Sequence, residues 1–392
     1  MPGIQTRNLK TALRFQDAQA DDARLVLRLI FDGCQWEGCA LNYTKLSAIE
    51  RDDNGVVHAV QLQDSQCKKG RKVKTKAIIN ATGPFAEQFQ SSQKKGYHIR
   101  PLRGSHLVFP GDCIPVREVI SFIHPEDKRV VFLFPWENVV LLGTTEVDHD
   151  QDLEIEPRVS EEEAKYLIEG LSHILPERNI TLKDCIASFA GVRPVLSKKR
   201  KTASTESREH VVWKDKGLVT ITGGKLTTFR ILAKNALFAA QKQISPQKKC
   251  GQINRWLSRH MVDHGLALSS GCSQRLLDRY GAYAWPKYKK YNRHEKSDVD
   301  LFQPIEGTQS LWAEIVYAAE HEKICHLSDL LLRRVRIGLL LPDGGAHLLD
   351  RIHQLCRSYL DWSREKWEIE KKEYQRQWQA FYSPPEANLE ER

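Results

Sequence analysis

Gly217-Leu-Val-Thr-Ile-Thr-Gly-Gly-Lys-Leu-Thr-Thr-Phe-Arg-Ile-Leu-Ala-Lys-Asn-Ala-Leu-Phe-Ala-Ala240 decides how the rest of the chain is read. Leu218 to Thr222 is a short β-branched run of the kind that makes a buried strand. Gly223 and Gly224 break it, giving positive-φ freedom and close backbone approach to whatever lies above the strand end. From Thr227 onward Phe229, Leu232, Ala233, Ala236 and Leu237 recur at helical spacing, with Thr227 or Thr228 as the natural N-cap. Strand, glycine pair and helix start bring unpaired N–H groups and the positive end of a helix dipole to one point. Lys225 adds a full positive charge, so something electron-rich is expected there. Taken alone, the same turn is ordinary α/β chemistry.

Working outward, Asp21-Asp22 can cap a helix carrying Leu25, Val26, Leu29 and Ile30 and ending near Gly33. Ala40 to Ile49 reads as a strand and Val56 to Leu62 as its antiparallel partner, turned by Asp53-Asn54-Gly55. Val73 to Ile79 is a further strand, running into Asn80-Ala-Thr-Gly-Pro-Phe85. That order is one half of a nucleotide-binding α/β unit with a meander inserted. Arg103-Gly-Ser-His-Leu-Val-Phe109 follows, then strand-like runs at 119–123, 130–134 and 139–143. Their close spacing predicts an antiparallel sheet and a substrate-side domain of α+β type. Ser160-Glu-Glu-Glu163 is a capping box for a helix reaching about Leu175, and 187–195 is a strand that carries Arg193. Beyond about 245, residues 309–321, 328–341 and 346–381 show helical periodicity. The expected division is 1–245 (its sheet at about 97–195), an all-helical domain at 246–382, and a disordered tail at 383–392.

The 392 residues are enough for two domains or more, and 28% charged with 41% hydrophobic residues is ordinary for a globular protein. The net charge of +9, from 59 basic and 50 acidic side chains, suits nucleic acid, an anionic membrane surface or an anionic substrate. The basic runs at 68–72, 198–201 and 287–290 sit among loop-like residues and read as solvated. Lys287-Tyr-Lys-Lys-Tyr291 interleaves rings with charge and leaves a minor nucleic-acid reading open. Nine cysteines, none in C-x-x-C spacing, suit a reduced cytoplasmic compartment with no metal centre. No signal peptide is found, and no apolar run approaches the roughly 20 residues of a span, so any membrane contact is peripheral.

Five blocks in order resemble the FAD-dependent glycerol-3-phosphate dehydrogenases, members of the D-amino-acid-oxidase-like flavoproteins. They are Asp21-Asp-Ala-Arg-Leu-Val26, Asn80-Ala-Thr-Gly-Pro84, Gly104-Ser-His106, Leu142-Gly-Thr-Thr145 with Gly191-Val-Arg-Pro194, and Gly223-Gly-Lys-Leu-Thr-Thr228. The resemblance implies an incomplete two-dinucleotide-domain FAD fold of α/β type, with an antiparallel substrate sheet and a C-terminal helical domain. It implies oxidation of sn-glycerol 3-phosphate to dihydroxyacetone phosphate, hydride transfer to FAD and electrons onward to quinone, in glycerol and glycerophospholipid metabolism. His106 then matches the base for the C2 hydroxyl and Arg193 the guanidinium for the phosphate. Thr82 and Gly83, with Gly223, Gly224, Lys225, Leu226, Thr227 and Thr228, match the flavin-contacting positions. Asn80 and Thr82 could instead simply hold a strand end together.

The family opens with a strand, G-x-G-x-x-G, helix unit for the FAD pyrophosphate, and these 392 residues contain none. The chain is therefore read as N-terminally truncated, resembling about the last three quarters of the enzyme. Alone it is expected neither to hold FAD tightly nor to be active. The competing readings are a non-catalytic remnant and a related oxidase acting on a glycerol phosphate or an amino acid. Peripheral attachment at the inner face of the cytoplasmic membrane through anionic lipid is expected, nucleic acid is not, and a homodimer is left open.

Overall fold

Thirteen residues of extended chain, β5 (His98–Pro110), are the spine of the larger sheet. In the computed structural model they pair antiparallel with β10 (Ala187–Ser197) on one side and β8 (Val139–Gly143) on the other. The sheet runs β10-β5-β8-β7-β6, with β7 at Val130–Trp136 and β6 at Ile120–Ile123, and the short β9 (Val147–Asp148) also pairs with β5. The residues described are 3–7, 9–89, 98–197, 210–244, 270–281, 288, 291 and 300–385.

Alternation along these strands sorts their side chains to two faces. Leu107, Phe109, Val131, Leu133, Val140 and Leu142 face α2 (Glu161–Ile174), meeting its Ala164, Leu167 and Leu171. Val108, Val139, Leu141 and Ala187 point the other way, into a core shared with the C-terminal helices. The expected capping box is present: Glu163 N–H donates to Ser160 Oγ at 3.2 Å and Ser160 N–H to Glu163 Oε2 at 3.2 Å.

A second sheet holds the opening stretch. β12 (Leu218–Gly223) pairs antiparallel with β11 (His210–Asp215) and parallel with β4 (Ile78–Asn80). A three-stranded meander, β1 (Thr44–Arg51), β2 (Val57–Asp64) and β3 (Gly70–Lys74), stands apart from it. The single strand expected over 73–79 is thus two strands in two sheets. The polar turn at 75–77 separates them: Thr75 N–H donates to His58 O at 3.0 Å, and Ile78 N–H is taken by Gly217 O at 2.8 Å. The first strand starts at Thr44, after Tyr43 at φ 52°, rather than at Ala40.

The C-terminal region comprises α4 (Ser270–Tyr280), α5 (Trp312–His321), α6 (Leu349–Leu360) and α7 (Arg364–Phe381). The expected helix over 328–341 is a π turn at Asp329–Arg334 followed by a 3-10 turn at Ile337–Leu339. The long helix expected over 346–381 breaks at Asp361, in the left-handed region at φ 51°. The expected boundary at 245/246 lies outside the described residues, as does the basic run 198–201. Of the tail, residues 383–385 are described, and Ser383 O accepts from Ser188 Oγ at 2.8 Å. Tyr288 and Tyr291 are core rings, Tyr288 stacking on Tyr317 at 4.8 Å, which removes them from any base-stacking surface.

Buried charges fasten these helices to the rest. The helix α1 (Asp22–Gln35) is capped by Asp21, which also meets Arg279 and Arg336 at 3.0 Å each. Arg24 grips Glu322 with two bonds of 2.9 and 2.8 Å, both side chains almost fully buried. Arg275 bridges Glu314 at 2.6 Å and Glu137, in the β7–β8 turn, at 3.0 Å. Burial works against the Glu314 charge, yet Arg275 and Arg279 hold its carboxyl below the usual range.

Candidate active site

His106 and Arg193 lie on one face of the large sheet because of its register. Phe189 pairs with His106, Gly191 with Gly104 and Arg193 with Leu102, so all six share a face. The His106 ring stacks on Phe189 at 4.9 Å, nearly parallel, and meets Phe134 edge-on at 6.3 Å. Its third support is Gly143, where a Cβ would come within 2.3 Å of Cδ2. Nδ1 is buried with no hydrogen-bond partner. Burial, with the nearby Arg193 charge adding to it, pushes the imidazole down to about 4, so the ring is neutral at neutral pH.

The Arg193 guanidinium lies across Gly104, where a Cβ would fall 2.5–2.7 Å from Nη2, Nη1 and Cζ. Its Nη2 donates to Thr144 Oγ1 at 3.1 Å. A Cβ on Gly191, the neighbour of Gly104, would meet nothing within 4 Å. Gly191 is therefore an open spot on this face, flanked by Gly104 under the guanidinium and by Phe189 under the imidazole. A small polar molecule carrying an anionic group suits that arrangement.

The parallel pair β4–β12 ends in two turns that open at the same carboxyl edge. After β12, Gly223 and Gly224 take φ 80° and 78°. A 3-10 turn at Leu226–Thr228 then leads into α3 (Phe229–Ile244). The turn begins at Lys225, earlier than the threonine cap expected. Thr228 closes it from inside, its N–H donating to Lys225 O at 3.0 Å and its hydroxyl to the same oxygen at 2.9 Å. Lys225, Leu226 and Thr227 stay exposed. After β4, Asn80 Oδ1 accepts from Thr82 Oγ1 at 2.6 Å, and Asn80 Nδ2 donates to Ala86 O at 2.9 Å. Thr82 thus helps secure the strand end. Gly83, at φ 60°, has open space where a Cβ would stand, and Thr222 Oγ1 donates to its carbonyl at 3.4 Å. The 3-10 turn at Gly83–Phe89 packs against β5, β10 and β12, so it links the two sheets.

Sequence reasoning named His106, Arg193 and both loops, and the structure brings the first pair to one face and the loops to one sheet edge. It missed Phe134, Phe189 and Thr144, the groups that hold them. Their spacing to His106 and Arg193 exists only across strands; the linear signals were glycine at 104, 143 and 191 and, for Thr144, the Leu142–Thr145 block, to which no role had been given. Among the described residues no group of three or more His, Cys, Asp or Glu could hold a metal, and no helix is long and apolar enough to cross a membrane.

Comparison with known proteins gives a consistent result. The family described as FAD dependent oxidoreductase matches residues 1–234, and the C-terminal domain of alpha-glycerophosphate oxidase matches 228–367. The aerobic glycerol-3-phosphate dehydrogenase of Bacillus subtilis is 34% identical over 353 residues, covering 85% of this chain and 63% of that protein. Glycerol-3-phosphate dehydrogenase 2 of Mycobacterium tuberculosis is 30% identical over 379 residues, covering 92% and 63%. The chain thus spans less than two thirds of the length of these curated relatives. The solved structure of glycerol-3-phosphate dehydrogenase from Bacillus halodurans, complexed with FAD, superposes with a TM-score of 0.77 at 23% identity, over 96% of this chain and 76% of that one. That likeness concerns the fold.

Proposed function

Since the chain belongs to the FAD-dependent oxidoreductase family, we propose that it carries the substrate side of a site oxidising sn-glycerol 3-phosphate to dihydroxyacetone phosphate. The observation that carries this reading is the open spot at Gly191, with a neutral imidazole on one side and a guanidinium, seated over Gly104, on the other. A bound FAD would supply the hydride acceptor.

The chain's own residues have separate tasks. Arg193 offers two N–H groups to phosphate oxygens, a geometry lysine cannot match. His106, unprotonated at neutral pH, takes the C2 hydroxyl proton as that carbon is oxidised. Phe134 and Phe189 keep bulk water from the ring. Lys225, Leu226 and Thr227 stand exposed at the strand edge, where Gly83 also leaves room. They suit the pyrimidine end of an isoalloxazine, which gains negative charge on reduction. Gly223, Gly224 and Thr228 shape that loop, and Thr82 holds the facing one.

The onward acceptor is proposed to be quinone, reached by peripheral binding to anionic lipid on the inner face of the cytoplasmic membrane; the +9 net charge supports the electrostatic part. The match of 228–367 to an oxidase domain favours a second reading, with oxygen as acceptor. Because these residues alone are expected to hold FAD only weakly, the chain should be joined to the dinucleotide-binding segment of one of the relatives above, loaded with FAD under anaerobic conditions and mixed with glycerol 3-phosphate. Bleaching of the flavin band is expected with this substrate and not with glycine. Bound flavin that glycine bleaches and glycerol 3-phosphate does not would overturn the proposal. Peroxide formed on admitting air would select the oxidase reading.

A further inference from the structure

The imidazole of His106 has no hydrogen bond at Nδ1 to aim it. Its placement depends on contacts with Phe189, Phe134 and Gly143, and on where the backbone of β5 runs. The other face of the same strand is pinned by one buried carboxylate. Glu163, the capping-box residue of α2, is 4% exposed. Its Oε1 accepts from Ser105 Oγ at 2.8 Å and from Thr145 Oγ1 at 2.6 Å. Its Oε2 accepts from Arg103 Nε at 2.9 Å and Nη2 at 2.8 Å, and from Ser160 N–H. Ser105 N–H closes the circuit by donating to Thr145 Oγ1 at 3.0 Å.

A capping-box glutamate ordinarily returns one bond to its own helix start. Here it also gathers three side chains from two other segments. Ser105 immediately precedes His106, and Thr145 immediately follows Thr144, which accepts from Arg193. Side chains alternate across a strand, so the bond that draws Ser105 toward α2 fixes His106 toward the open face.

We propose that Glu163 is a positioning residue that sets His106 and the Thr144–Arg193 contact from beneath the sheet. Arg103 balances its charge and is held by it. Glutamine at this place keeps the shape but presents an N–H₂ to hydroxyl and guanidinium donors, which breaks part of the circuit. The inference rests on the site assignment above, so its test reads the histidine as well as the ligand.

The full chain is used, with Glu163→Gln, Thr145→Val and Thr145→Ser. Glycerol 3-phosphate affinity is measured by calorimetry. The His106 titration is followed by NMR, its signal identified by loss in His106→Gln. Glu163→Gln and Thr145→Val are expected to weaken binding by roughly 10- to 100-fold, by analogy with the outer partners of metal ligands. Both should also move the His106 titration upward from about 4, as the ring shifts toward water. Thr145→Ser keeps the hydroxyl and should behave as wild type. Folded variants that lose thermal stability but keep both affinity and titration would overturn the proposal. If Glu163→Gln does not fold, the Thr145 pair decides. A wild-type chain that ignores glycerol 3-phosphate would sink the substrate assignment instead, leaving the His106 titration to decide the positioning.

Discussion

Arg193 rests on Gly104: a Cβ at that glycine would stand 2.5 Å from Nη2. The guanidinium can reach over the sheet only because the strand has no side chain there. Gly104→Ala is therefore expected to displace Arg193, weakening glycerol 3-phosphate binding by about tenfold or more, the loss of a charge-assisted bond of roughly 1.5–3 kcal/mol. Gly191→Ala meets nothing within 4 Å and should fold normally while obstructing the ligand. Titration calorimetry beside thermal unfolding checks both. Unchanged affinity in Gly104→Ala would remove Arg193 from the phosphate site.

The pH dependence has a defined sign. His106 titrates at about 4 in the fold, against an ordinary 6.5, so the unfolded chain takes up the proton first as pH falls. The stability that goes with the neutral ring is lost between pH 6.5 and 4, by no more than about 3.5 kcal/mol. His106→Gln should flatten denaturant-derived stability across that window. Arg193→Gln, which removes a positive neighbour, should raise the His106 titration point; a fall would contradict their proximity.

Much of this was legible in the chain itself. Short, closely spaced apolar runs pointed to β6, β7 and β8, the capping box to α2, and the Gly223-Gly224 break to the loop after β12. What failed was local. Residues 73–79 read as one strand, because nothing in their composition says that Lys74 and Ile78 belong to different sheets. The region 328–341 has helical periodicity but folds as π and 3-10 turns, since burial of Leu330, Leu331, Ile337 and Leu339 decides it rather than propensity. The aromatic support of His106 was illegible for another reason: Phe134 and Phe189 reach it through strand pairing alone.

The buried ion pairs should be uneven in their effects. Glu314 is fully buried and receives Arg275 Nη1 at 2.6 Å, Tyr280 Oη at 2.7 Å and Leu311 N–H at 2.9 Å. Glu314→Gln takes one carboxylate from Arg275 and Arg279, which keep Glu137 and Asp21, and is expected to cost up to about 3–5 kcal/mol of unfolding free energy. Glu373→Gln, which breaks an exposed pair with Arg376, should cost less than about 1 kcal/mol. Chemical denaturation of the two variants makes the comparison. Equal losses would mean that the buried network is not what fastens the C-terminal helices.

The loop after β12 allows shape and charge to be separated. Gly224 sits at φ 78°, and a Cβ there would come within 3.0 Å of Leu232 Cδ2. Gly224→Ala should therefore be felt in stability, by about 1–2 kcal/mol, because an L side chain strains the left-handed region. Lys225 is different. It is exposed and makes no ion pair among the described residues, so Lys225→Ala should leave stability within about 0.5 kcal/mol. If its charge serves the flavin, the same change should weaken FAD binding by about tenfold or more, the size of one bond to a charged group. The deficit should be larger for reduced than for oxidised flavin, because reduction adds negative charge at that end, and so the bound flavin's potential should fall. Fluorescence titration with FAD, followed by potentiometry of the loaded chain, measures both. An unchanged potential with unchanged affinity would leave the loop as turn chemistry and move the search for the flavin's electrostatic partner elsewhere on the sheet edge.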